Sequence, residues 1–380
     1  MRYLTAQNQI KSDMNMGIAD YDHSLVSLAN SVLKRFGAEC NHSTLKEMDD
    51  LLAKGFKNVV VMLFDGMGSA ILDKHADKAP FLRAHTVGAI SSVFPPTTTA
   101  ATTSVETGLT PYEHGWLGWT LYFKDIDKNV CVFPNVIFGS DQQAESYHVA
   151  RRYLPFETLE DKIRKVGKKA YFVSKYSPFK TQSLQEICDV VRTLCKEDGE
   201  KYIYCYWNQP DFDMHDFGTS HERVAEHIAQ IDDEVHNLCN DLDDALVVAI
   251  ADHGLVDVEW QSLCDYPEIF DCLERIPSIE ARALSFYIKD GRQDEFAKAF
   301  NARFGSDYDL YTHEQVLALS LFGEGKKNAF FDDFVGDFLA VAKGKLSLTP
   351  FALDGEEFKA MHAGACKDEL SVPLVAIECR

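Results

Sequence analysis

Two uninterrupted apolar runs, Val59-Val-Val-Met-Leu-Phe64 and Leu246-Val-Val-Ala-Ile-Ala251, constrain this chain more than any other feature. A strand with one wetted face alternates apolar and polar residues. A strand with no alternation is buried on both faces, as in a parallel sheet covered by helices. Each run stops at polar residues beside a glycine: Asp65-Gly66-Met67-Gly68 after the first, Asp252-His253-Gly254 after the second. Ligands in open α/β sheets bind at the carboxyl ends of strands, so these two stops are candidate site positions.

The flanking chain fits such a sheet. Leu25, Leu28, Val32, Leu33 and Phe36 fall at helical spacing before Gly37, which predicts a surface helix, and Thr44 with Glu47 predicts a capping box for a second. Helix 157–166, strand 170–174, helix 184–195 and strand 202–207 alternate as βαβ units. A long helix carries Val224, Ile228, Ile231, Val235 and Leu238 on one stripe, and an apolar strand over 372–377 returns to the sheet. Between these, residues 116–135 read as aromatic and irregular. Residues 264–345 carry few buried runs and predict an inserted α+β subdomain: strand 283–288, helix 294–304, a short strand near Tyr308 and helix 313–321. The expected organisation is a mostly parallel sheet with helices on both faces, formed by residues 1–263 and 346–380, with 264–345 as the insertion.

The stretch from Thr86 to Gly115 reads as a strand, a corner and a helix. Thr86 to Phe94 is β-branched and apolar, Pro95-Pro96 breaks it, and Thr97-Thr98-Thr99 offers N-cap hydroxyls before Ala100, Ala101, Ser104 and Val105, with Gly108 as the C′ stop. A hydroxyl at a helix N-terminus sits beside free N–H groups and the positive end of the helix dipole, a setting that favours phosphate.

Composition narrows the ligand class. A net charge of −21 has the wrong sign for gripping a nucleic acid polymer. No run approaches the ~18 apolar residues of a membrane helix, so no membrane partner is expected. The N-terminal residues show no basic-then-apolar export signal, and the ten cysteines include no Cys-x-x-Cys. Reduced thiols and a cytoplasmic location are the expectation, with oligomeric state open.

Six metal-type ligands lie at separate strand ends or loops: Asp65, Asp211 with His215, Asp252 with His253, and His362. Carboxylate and imidazole without thiolate suit zinc, with manganese or iron as alternatives. His221, His227 and Asp213 read as ordinary surface groups. Together, Asp65-Gly-Met-Gly, a threonine nine residues before Thr107-Gly108, Pro210-Asp211-x-x-x-His215, Asp252-His253-Gly254 and His362 resemble the alkaline phosphatase superfamily. Within it, they most resemble the type I phosphodiesterase and nucleotide pyrophosphatase family.

The resemblance implies an alkaline-phosphatase-like fold and two divalent ions. Asp211, His215 and His362 would hold one; Asp65, Asp252, His253 and the Thr98 oxygen would hold the other, ~4 Å away. Its register places the nucleophile at Thr98. Coordination makes the threonine alkoxide accessible, a phospho-threonine intermediate follows, and the Thr99 backbone N–H helps hold the developing charge. Related nucleotide pyrophosphatases place a phosphoryl-contacting Asn five residues after the His of Thr-Gly…His-Gly, where this chain has Trp119. Ser91 to Gly115 contains no Lys or Arg, and the sulfatase Cys-x-Pro-x-Arg motif is absent. Trp119 and Tyr122, with Thr99, are the candidate substrate contacts. The implied activity is hydrolysis of small phosphate diesters or pyrophosphates. Phosphonoacetate-type phosphonate cleavage, phosphomonoester hydrolysis, metal-dependent phosphomutase activity and a non-catalytic metal module are the alternatives.

Overall fold

The computed structural model describes residues 19–380. Its main sheet contains β1 (Asn58–Phe64), β2 (Thr86–Ser91), β3 (Lys169–Val173), β4 (Lys201–Trp207), β5 (Ala245–Ile250) and β6 (Ser371–Cys379), in the order β2-β6-β5-β1-β4-β3. Strands β5, β1, β4 and β3 pair in parallel, while β6 runs antiparallel to both of its neighbours. Every residue of β1 and β5 is buried, as their unbroken apolar runs require. Thr86 to Gly88, by contrast, are exposed, because β2 is an edge strand.

Two groups of helices cover the sheet. One packs α1 (Leu25–Phe36) against α2 (Thr98–Thr107) and α3 (Leu159–Lys165). The other packs α4 (Leu184–Lys196) against α6 (Glu222–Asp241), which also touches the short helix α5 (Asp211–Phe217). Helix α1 corrects the expectation of a surface helix. Asn30 and Ser31 are buried along with its apolar stripe, and Asn30 Nδ2 donates to the carbonyl of Gly108 at 2.8 Å, tying α1 to the end of α2. The Thr44 and Glu47 capping box does not form. The second helix starts one residue late, at Lys46, and the Thr44 hydroxyl donates to Asp49 instead.

The second sheet has seven strands and is antiparallel throughout. It runs Tyr308–Thr312, Phe338–Ala342, Ala283–Ile288, Leu273–Glu280, Thr120–Phe123, Lys128–Cys131 and Val136–Ile137. Residues 116–135, read as irregular, therefore contain a hairpin, which turns at Asp127 in the left-handed region (φ 49°). This hairpin joins the strands of the 264–345 segment through the pair Ile279 and Thr120. One face of the sheet packs on Phe123, Val132, Phe322 and Phe334, the other on Phe286, Phe296 and Phe300.

Candidate active site

Three adjacent strands deliver three carboxylates to one place. In the parallel register Phe64 lies beside Trp207, and Leu63 beside Ile250. The residues that leave β1, β4 and β5 therefore emerge together: Asp65, the 208–211 turn with Asp211, and Asp252. The crowding demands glycine. Gly66 has φ +73°, and a Cβ there would lie 2.8 Å from Asp211 Cβ. Likewise a Cβ on Gly254 would lie 2.1 Å from the carbonyl oxygen of Asp368.

The ligand atoms of Asp65, Asp252 and His253 all lie within 4.8 Å of one another, as do those of Asp211, His253 and His362. His215 stands beside the second group, its Nε2 3.4 Å from Asp211 Oδ2 and its Nδ1 2.8 Å from the carbonyl oxygen of Ala360. Asp252 Oδ1 accepts from the backbone N–H groups of Gly66 and His253, each at 3.0 Å, which fixes its orientation. Tyr206 donates its hydroxyl to Asp65 Oδ2.

Charge in this pocket is unbalanced. Burial, then the neighbouring Asp252 and Asp211, push the Asp65 carboxyl far above its usual range. Burial also raises Asp252, against the pull of His253. Burial would raise Asp211 as well, but the imidazoles of His215, His362 and His253 outweigh it and hold Asp211 low. His362 is driven well below the usual imidazole value by burial and by His253. Asp211 Oδ1, Asp252 Oδ2 and His362 Nδ1 are buried with no hydrogen-bond partner. Orphaned acceptor atoms on three converging side chains fit bound divalent cations, which would satisfy them and neutralise the carboxylates.

The three threonines at the helix start are not equivalent. Thr97 is the N-cap residue of α2, yet its hydroxyl donates to Glu280 Oε1 at 2.6 Å instead of capping the helix. Thr99 is fully buried and its hydroxyl has no partner. Thr98 alone is half-buried, with its Oγ1 3.1 Å from His253 Nε2 and 3.4 Å from Asp65 Oδ1.

A cavity of about 1100 Å³ opens over Thr98, Asp65, Asp211, His215 and His362. Trp116, Trp119, Phe133 and Phe156 form an aromatic wall, in which Trp119 stands edge-on to Phe133 and remains 44% exposed. Trp116 is locked by its Nε1–H, which donates to the carbonyl of Leu154 at 2.9 Å. The structure does not bring Tyr122 to this wall. Its strand turns the ring the other way, onto the guanidinium of Arg275 at 4.0 Å, and its hydroxyl donates to Asp127. Arg151 and Lys175 reach the cavity from distant segments, whereas Lys124 pairs with Asp333. Asp213 and His227 pair with each other at 3.2 Å, outside the site.

Sequence reasoning missed Glu280. The last residue of its strand, it lines the cavity, and its Oε1 accepts from both the Thr97 hydroxyl and the Trp119 backbone N–H, the latter at 2.7 Å. No short motif marks it; the only signal was the missing Asn at position 119, next to which it lies.

A family model described as type I phosphodiesterase / nucleotide pyrophosphatase matches residues 59–363. Among solved structures, murine ectonucleotide pyrophosphatase / phosphodiesterase 5, an inactive threonine-to-alanine variant in complex with AMP, aligns with TM-score 0.62 and 15% identity, over 84% of this chain and 87% of that one. The human ectonucleotide pyrophosphatase / phosphodiesterase 5 aligns with TM-score 0.63 and 14% identity, over 84% and 87%. No curated protein sequence matches the chain. At these identities the structural likeness establishes the fold, which is alkaline-phosphatase-like.

Proposed function

Because the chain belongs to the type I phosphodiesterase / nucleotide pyrophosphatase family, and is a phosphoric ester hydrolase of that metal-dependent kind, we propose that it cleaves small phosphate diesters or pyrophosphates through a covalent intermediate on Thr98. One observation carries this reading: the Thr98 hydroxyl lies between Asp65 and His253, at the start of α2 and at the mouth of the cavity. Asp211, His215 and His362 would hold one divalent ion, and Asp65, Asp252, His253 and the Thr98 oxygen the other, with zinc expected and manganese the alternative. When bound, such ions lower the cost of the threonine alkoxide and stabilise the leaving oxygen.

The chain's own groups define the remaining steps. The Thr98 oxygen attacks phosphorus, the bond to the leaving oxygen breaks on the opposite side, and an alcohol or nucleotide departs. Backbone N–H groups at the start of α2, that of Thr99 among them, point toward the charge that develops. Water then cleaves the threonine ester, releasing a phosphomonoester and regenerating the hydroxyl. Trp116, Trp119, Phe133 and Phe156 offer the apolar surface for the second organic substituent of a diester. The inactive threonine-to-alanine variant of the murine relative, which binds AMP, accords with both the threonine and a nucleotide-sized ligand. Ten free cysteines accord with a cytoplasmic location.

The test compares kcat/KM for bis-p-nitrophenyl phosphate and p-nitrophenyl phosphate on one metal-loaded preparation. The reading expects the diester to be faster. A monoester faster by about tenfold, or ~1.4 kcal/mol of transition-state preference, overturns the diester assignment.

A further inference from the structure

The departure at Trp119 has a structural counterpart in Glu280. Where related enzymes contact a phosphoryl oxygen with an amide, this chain presents an indole on the cavity wall, and the Trp119 backbone N–H is held by Glu280. The second sheet brings this carboxylate to the site, on a strand that pairs with the hairpin through Ile279 and Thr120. Two donors converge on Oε1, the Thr97 hydroxyl at 2.6 Å and the Trp119 N–H at 2.7 Å, and both favour the charged form, against burial, which raises the carboxyl above its usual range. Among the described residues no donor meets Oε2. Glu280 is thus one bond from Thr97, the neighbour of the attacking residue.

Resting on the reading of this site as a phosphoryl-transfer centre, we propose that Glu280 is a charge-selecting residue that disfavours phosphoryl groups carrying two negative charges. A fixed carboxylate repels a dianion twice as strongly as a monoanion at the same distance. A diester or the bridged phosphorus of a pyrophosphate presents one charge at the reacting centre; a monoester and orthophosphate present two at alkaline pH. The residue therefore biases the cavity toward substrates whose phosphorus bears an organic substituent, and it weakens inhibition by the dianionic phosphomonoester product, for which orthophosphate is the simplest probe. Arg151 and Lys175, also on the wall, remain free to attract the more distant charges of a nucleotide.

Glu280→Gln is the decisive variant, since its amide oxygen still accepts from Thr97 and Trp119 while the charge is gone. Two quantities are read at pH 8: the ratio of kcat/KM for p-nitrophenyl phosphate to that for bis-p-nitrophenyl phosphate, and the Kd of orthophosphate by calorimetry on metal-loaded protein. The proposal expects orthophosphate to bind about tenfold tighter, dimethyl phosphate about threefold tighter, and the ratio therefore to rise about threefold. Glu280→Ala, which also drops both hydrogen bonds, controls for positioning. If Glu280 only positions the corner, Glu280→Gln matches wild type in both readouts while Glu280→Ala slows both substrates equally, and the proposal falls. The orthophosphate measurement requires no turnover, so it stands even where the diester assignment fails.

Discussion

Replacing Arg282 by methionine tests how the two ligand loops are held. Arg282 and Glu369 are both fully buried and form a two-pronged pair, Nε to Oε1 at 2.7 Å and Nη2 to Oε2 at 2.8 Å. The guanidinium also donates to the carbonyls of Gly344 at 2.7 Å and Leu346 at 3.1 Å. Glu369 in turn accepts from the backbone N–H of Gly364, two residues past His362, and its own carbonyl accepts from the N–H of Gly254, next to His253. Arg282→Met leaves the carboxylate buried without its charged partner, which costs about 3–5 kcal/mol, and removes one donor each from the carbonyls of Gly344 and Leu346, the latter keeping the Tyr308 hydroxyl at 2.9 Å. Against a total stability of about 5–15 kcal/mol, the variant should unfold at much lower urea and retain metal poorly. Urea melts of Arg282→Met, Glu369→Leu and the double variant measure the coupling. The double variant should recover about 2 kcal/mol or more relative to the sum of the singles. A single-variant cost under about 1 kcal/mol, or strict additivity, would refute the argument.

Three further outcomes follow from the site and its surroundings. Thr98→Ala should abolish turnover while keeping metal content near wild type; retention of more than about a tenth of the activity would move the attack to another group. Metal analysis of replete protein should give two divalent ions per chain, and Asp65→Asn and His362→Ala should each lose one. Glu160, at the start of α3, has its carboxyl pushed up to about 7 by burial. The unfolded chain releases this proton near the ordinary value while the folded chain retains it, so stability falls as pH rises from about 4.5 to about 7. Glu160→Gln should therefore be neutral at low pH and stabilising at pH 8, by an amount on the order of 3 kcal/mol at most; a pH-independent effect in urea melts would contradict this.

What was legible in the sequence was local. The buried runs announced β1 and β5 because burial on both faces removes alternation, and the polar residues at their ends lie together because the parallel register aligns those ends. The corner at Pro95-Pro96 and the stop at Gly108 fell where proline and glycine dictate, with Gly108 at φ 71°. The second sheet was hidden for the opposite reason. Its strand Leu273–Glu280 contains a proline and two register shifts, and one of its two partners, Thr120–Phe123, lies far away in the chain, so no periodic signal survives. Tyr122 was assigned to the substrate by its closeness in sequence to α2, but the hairpin faces it toward Arg275. Glu280 carried no signal of its own, because its place beside Thr97 depends on the pairing of Ile279 with Thr120.

Rapid acid quench during steady-state turnover of a diester, followed by peptide mass spectrometry, tests the central claim most directly. The account predicts an adduct on Thr98 that retains phosphorus and one ester substituent, absent from Thr97 and Thr99 and absent from Thr98→Ala. Turnover at full rate with no covalent adduct, or an adduct at a neighbouring threonine, would contradict it.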